Sequence, residues 1–177
     1  MQLEDIVQSV IDGKSLIAQL PGTTDQALFD FMKDSGFSSR HELMTVFEER
    51  LINAREHGGG KSLAVFAQKL MGFLYFVIVD RGPGIHTTLP RNPHLSDTKG
   101  KSPMALIRLA MEEGITGTSV VGRGVGLYLL SDYINRNGGE AILISDGGLV
   151  VQVRDVSMQE KSSHPWDGTL IAVKVTA

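Results

Sequence analysis

Three groupings in this chain have the residue types and spacing to do chemistry. Glu49, Asn53 and His57 recur every fourth residue, so on a helix they stack along one line. A carboxylate and an amide oxygen about 6 Å apart along a helix suit a hydrated cation and a water. Asp80 closes an apolar run and is followed by Arg81-Gly82-Pro83-Gly84. A carboxylate there can accept from an exocyclic amine, and Gly82 and Gly84 let a planar ligand lie against bare backbone. The same residues also suit an ordinary turn. Gly122-Arg123-Gly124-Val125-Gly126 sets three glycines at alternate positions ahead of an apolar helical segment. Such a stretch offers successive N–H groups and the positive end of a helix dipole to an anion, or is simply a flexible loop.

Other patterns fail on spacing. Gly58-Gly59-Gly60-Lys61-Ser62 is not a phosphate loop, because Arg55 stands where the first glycine belongs and a helix, not a strand, precedes it. The Gly122–Gly126 stretch is not a dinucleotide fingerprint, because its sixth position is Leu127. Arg40-His41-Glu42-Leu43-Met44-Thr45 resembles the phosphoacceptor box of sensor kinases. Val46 replaces the proline of that box, and the segment heads the Glu49–Asn53 helix, so a solvated helix start is the simpler reading. His86, His94 and His164 show no metal-ligand spacing.

Composition narrows the classes. The chain has 177 residues, a length that suits one domain, and 42% hydrophobic residues, enough for a core. No run approaches the ~18 uninterrupted apolar residues of a membrane span, and the acidic start MQLEDIVQSV lacks signal-peptide character. There is no cysteine, hence no disulfide, thiolate metal site or cysteine nucleophile. A net charge of −3 with scattered Lys and Arg argues against nucleic-acid binding. A cytoplasmic protein without a membrane partner is the simplest expectation.

The elements that must position these residues follow from periodicity. Residues 3–12 read as an amphipathic helix, 15–20 as a strand, and a helix capped by Thr23 or Thr24 runs through Asp34. In the central helix, 42–57, Leu43, Phe47, Leu51 and Ala54 make an apolar stripe, and the Glu49 line borders it next to Val46. Strands over 62–69 and 73–79 form a hairpin at Met71-Gly72, the second apolar enough to be central. Residues 86–100 read as a long mobile loop, 103–113 and 127–135 as helices, and 140–145 and 149–156 as a hairpin. Residues 158–164 read as a polar loop and 169–176 as the last strand. The order predicts an α/β two-layer sandwich, a mostly antiparallel mixed sheet with helices on one face, rather than a doubly wound sheet.

Four motifs in register carry a resemblance: E-x-x-x-N-A-x-x-H-G from Glu49, D-x-G-x-G-I from Asp80, G-x-G-x-G-L from Gly122, and D-G-T from Asp167. Together they resemble the GHKL ATPases, the superfamily with the Bergerat ATP-binding fold. Within it the chain looks most like the small anti-sigma-factor serine kinases, because a strand and a helix lead directly into the asparagine box. The dimerisation hairpin of a sensor kinase or the transducer of a topoisomerase does not fit in this length.

The resemblance implies roles for ATP and Mg²⁺. Asn53 would hold Mg²⁺, and Glu49 would orient or deprotonate the attacking group. Asp80 would accept from the adenine amine, with Thr169 sharing a water there, and Gly82 and Gly84 would floor the base pocket. Gly122, Gly124 and Gly126 would give N–H groups to the phosphates. From its position, Arg123 would add charge to them. Residues 1–14 would be an N-terminal helical extension of a single domain, and 86–121 the ATP lid. The implied partner is a regulatory protein, either an anti-anti-sigma-like substrate or a sigma factor. Related kinases pair as homodimers. Two departures stand out: the triple glycine after His57, and a lid with no run of basic residues for the γ-phosphate, where Lys99, Lys101 and Arg123 are the candidates. The competing functions are a nucleotide-gated binding module without transfer and the ATP-binding part of a split sensor histidine kinase.

Overall fold

The computed structural model describes residues 2–12, 18–19, 30, 33–37, 40–57, 63–115, 126–154, 156–162 and 166–177. The N-terminal helix α1 (Leu3–Ile11) buries Leu3, Ile6, Val7 and Val10, one face at helical spacing. Strand β1 (Ala18–Gln19) follows, and a helical turn at Lys33–Phe37 seats Phe37 edge-on against Phe76, ring centroids 5.4 Å apart. Helix α2 (His41–His57) buries Leu43, Val46, Phe47 and Leu51 as its stripe requires. Burying such side chains contributes about 1.5–3 kcal/mol each.

Strands β2 (Leu63–Leu70) and β3 (Phe73–Asp80) join through Met71 and Gly72, both at positive φ, the two-residue turn whose twist matches a hairpin. Short helix α3 (Gly84–Thr88), a 3-10 turn at Leu89–Arg91 and helix α4 (Pro103–Ala110) come next. Helix α5 (Gly126–Asn137) packs along α2, where Arg40 donates to the Tyr133 hydroxyl at 3.1 Å and Arg136 pairs with Glu42. Strands β4 (Glu140–Ser145), β5 (Gly148–Val153), β6 (Val156–Lys161) and β7 (Thr169–Thr176) complete the chain.

The sheet has seven strands in the order β1-β2-β3-β7-β4-β5-β6. As expected, β3 lies inside it, and every residue of β3 after Phe73 is buried. Successive residues alternate faces. Val65, Leu74, Phe76, Ile78, Leu143, Ile171 and Val173 pack under α2, α4 and α5. Tyr75, Val77, Val79, Ile142, Ile144, Leu170 and Ala172 pack with α1 on the other face. No helix among the described residues is long and apolar enough to cross a membrane.

Four expectations change. The sheet is not mixed, for every described pairing is antiparallel. The helices are not confined to one face. The sheet is apolar on both sides, and the α1 stripe is what covers the second. Residues 86–91, expected within a long loop, are helical in α3 and the 3-10 turn, and 92–100 run as turns. Leu89, Asn92 and Thr98 are buried, the Asn92 side chain accepts the His94 N–H at 2.9 Å, and the Thr98 hydroxyl donates to Leu95 O. Two prolines and few apolar residues suggest a loop, whereas the polar groups here close local turns. Residues 158–161, expected as the start of a loop, belong to strand β6. As an edge strand with Val156 and Met158 exposed, it lacks the apolar alternation that marks a covered strand. The expected helix 23–34 falls on residues that are not described, apart from Asp30 and the start of the Lys33–Phe37 turn.

Candidate functional site

Asp80, Thr169 and Ser145 occupy one row across β3, β7 and β4, in register and on the α2-covered face. All three are buried polar residues at the end of an otherwise apolar surface. Asp80 and Ser145 are each held by specific contacts, as burial demands. The Asp80 Oδ1 accepts the Gly82 N–H at 2.9 Å, an Asx turn that bends the chain out of β3. The Asp80 carbonyl accepts the Trp166 indole N–H at 2.9 Å, and the Arg81 guanidinium lies 4.2 Å over the Trp166 ring. Ser145 Oγ donates to Gly168 O at 2.8 Å and accepts the Ile85 N–H at 2.9 Å, which fastens the start of α3 to the sheet. Gly84, buried, opens α3.

The D-G-T motif earns its glycine from this packing. Gly168 has φ 118°, and a Cβ built on it would sit 2.1 Å from Asp80 O. Only a bare backbone brings Thr169 level with Asp80. Two motifs far apart in sequence are thus one substructure.

Helix α2 crosses above this row and supplies the other side. The Arg50 Nη2 donates to Asp80 Oδ2 at 2.7 Å, an ion pair whose side chains are 11% and 8% exposed. Glu49 turns away by about 100° and its Oε2 accepts the Gly126 N–H at 2.6 Å, at the first residue of α5. A Cβ on Gly126 would lie 2.5 Å from that same Oε2, so a side chain there would displace the Glu49 carboxylate. Asn53, half-buried, is one turn further along. Four residues of helix set it about 40° round from Glu49 and about 60° from Arg50, so its direction falls between those two contacts.

The structure therefore gathers Asp80, Gly82, Gly84 and Thr169 at one end of the sheet, with α2 linking that end to Gly126 through Arg50 and Glu49. Gly122, Arg123 and Gly124 lie outside the described residues, as does the side chain of His57. The residues missed by sequence reasoning are Arg50, Ser145 and Trp166. Arg50 had one available signal, as a cation beside Glu49 on the flank of the stripe that faces the sheet. Trp166 directly precedes Asp167, which could have tied it to the D-G-T turn.

Chemically, the row offers carboxylate lone pairs beside unused guanidinium donors, a pairing suited to the edge of a heterocycle. No group of three or more His, Asp or Glu among the described residues could hold a metal. A divalent cation would therefore need phosphate oxygens to complete its shell, with Asn53 as one ligand. The Gly126 N–H, expected to face phosphate, is satisfied by Glu49. A polar cavity of about 260 Å³ lies toward the other end of the sheet, bordered by Arg108, Ser131, Asn135, Gln152 and Ser157, and none of the candidate residues lines it. No family model, curated protein or solved structure matches this chain.

Proposed function

We propose that the chain is an ATP-binding protein of the GHKL type, acting as an anti-sigma-like serine/threonine kinase on a regulatory protein partner. The observation that carries the reading is the alignment of Asp80 with Thr169 in one row, directly beneath the helix that bears Glu49 and Asn53. In this reading the Asp80 carboxylate accepts the adenine amine, and Thr169 orders a water beside it. Gly82 and Gly84 floor the base, and Asn53 holds Mg²⁺ against the phosphates. Glu49 orients the attacking hydroxyl. ATP supplies the phosphoryl group; the chain supplies orientation and charge. Gly122, Arg123 and Gly124 complete the phosphate side, the Gly126 N–H being held by Glu49.

The test is calorimetric titration with Mg²⁺-ATP, followed by incubation with labelled ATP and the protein products of neighbouring genes. Metal-dependent binding and a phosphoserine product are expected. Absence of ATP binding would end the reading.

One observation favours the non-catalytic binding module. The Glu49 carboxylate caps α5 rather than standing free, a structural use for the residue that the kinase reading makes the base. Under that alternative, a Glu49→Ala protein keeps its partner regulation. Under the kinase reading it binds ATP and transfers nothing.

A further inference from the structure

We infer that Arg50 reads the base: its guanidinium donates to the ring nitrogen flanking the amine that Asp80 accepts. The inference rests on the nucleotide reading above and deepens it.

A guanidinium has five N–H donors and no acceptor, and a carboxylate has about four acceptor sites. Arg50 uses one donor, on Asp80 Oδ2. Asp80 uses two acceptor sites, one for Arg50 and one for the Gly82 N–H. Donors and acceptors are therefore left over side by side at the end of β3.

Burial sharpens the point. The two side chains are 11% and 8% exposed. Desolvating a pair of charges offsets most of their attraction, and well-packed apolar residues hold a helix to a sheet at least as well. Here α2 already has Leu43, Val46, Phe47 and Leu51 for that purpose. The ion pair is thus not needed to hold α2 to the sheet, and recognition of a polar planar edge gives it a use.

The pattern then selects the ligand atom. Adenine carries its 6-amine, a donor, between two ring acceptors, N1 and N7. A carboxylate beside a guanidinium presents the complement, an acceptor next to a donor. Asp80 takes the amine, and Arg50 takes whichever ring nitrogen the base turns toward α2. Arg50, Asn53 and Glu49 then follow the nucleotide from base to phosphate along one helix.

The experiment deletes the ligand's acceptor rather than the protein's donor. Wild-type protein is titrated with Mg²⁺-ATP, 1-deaza-ATP and 7-deaza-ATP, and the series is repeated with Arg50→Gln. One deaza analogue is expected to bind wild type roughly ten-fold or more weakly, the range for a hydrogen bond to a charged group. That discrimination should vanish in the variant, whose ATP affinity drops to match. If Arg50→Gln does not fold, the wild-type comparison alone decides. Equal affinity for ATP and both analogues overturns the inference and leaves ATP binding standing. Tighter ATP binding by Arg50→Gln also overturns it, because the arginine is then a plug on Asp80. If no nucleotide binds wild type, the underlying reading falls as well.

Discussion

The Glu49 carboxylate accepts the Gly126 N–H at 2.6 Å, so the acid of α2 caps the very helix whose N-terminus the glycine-rich stretch opens. The contact suits both partners. The carboxylate meets the positive end of the α5 dipole, and the first N–H of α5 is satisfied. It also ties Glu49 to the first residue of α5, so that moving one moves the other.

Gly126→Ala should therefore destabilise the protein by about 1–3 kcal/mol, the usual cost of forcing a methyl into packed space. The new Cβ would fall 2.5 Å from Glu49 Oε2 and 3.2 Å from Glu49 Cβ. The double variant with Glu49→Ala should recover part of that loss, because the clashing carboxylate is gone. Urea unfolding of both singles and the double measures the coupling, expected at about 0.5–3 kcal/mol. Strictly additive values would mean that the two residues do not touch.

Asp80→Asn keeps the acceptor for the Gly82 N–H and removes the charge that faces Arg50. An uncompensated buried guanidinium costs about 3 kcal/mol or more when its partner is deleted. Equilibrium unfolding should show that loss. Calorimetry should show ATP binding weakened by about 1–3 kcal/mol. Unchanged ATP affinity would remove Asp80 from the base site. Trp166 is the sole tryptophan and donates to the Asp80 carbonyl, so its fluorescence should respond both to nucleotide and to this substitution.

How much of this was legible in the sequence depends on what each residue contacts. The Met71-Gly72 and Asp146-Gly147 hairpins were visible because positive φ leaves a residue-type signature. The α2 stripe was visible because burial follows the helical period, and Asp80 because a carboxylate ending an apolar strand is conspicuous. The row of Asp80, Thr169 and Ser145 was legible only in part. Strand register is a long-range property, and Ser145 has no motif to announce it. The Arg50–Asp80 pair was hidden for the same reason: nothing local says which neighbour a cation on a helix flank will find. The position of α1 was missed because an amphipathic stripe reveals that a helix is covered, not by which face of the sheet.

Gly168→Ala tests whether the D-G-T turn is tied to Asp80. The backbone at 168 has φ 118°, and the added Cβ would lie 2.1 Å from Asp80 O and 2.8 Å from its carbonyl carbon. These are backbone atoms in a paired strand, so no rotamer change relieves the contact. Strain of the backbone alone is on the order of 1–3 kcal/mol, and displacement of β3 adds to it. The expected result is a clearly lowered Tm together with loss of the Trp166 response to nucleotide. An alanine variant as stable as wild type would show that residues 168 and 80 are not packed as described.

Glu140 supplies a pH prediction away from the site. It opens β4, where burial raises its pKa above the ordinary 4.5; the Glu4 carboxylate of α1 raises it further, and Lys174 partly opposes both. The folded protein thus holds the Glu140 proton more tightly than the unfolded chain. Below the unfolded value, both states carry the proton and the group is neutral in its effect. As pH rises through that value the unfolded chain ionises first, and stability falls until the folded group has ionised too. Glu140→Gln removes the charge and keeps the shape. It should therefore have a higher Tm than wild type at pH 7, and the gap should close as pH drops below 4.5. A gap that is constant across the titration, or that widens in acid, would show that Glu140 is not disfavoured as a carboxylate in the fold.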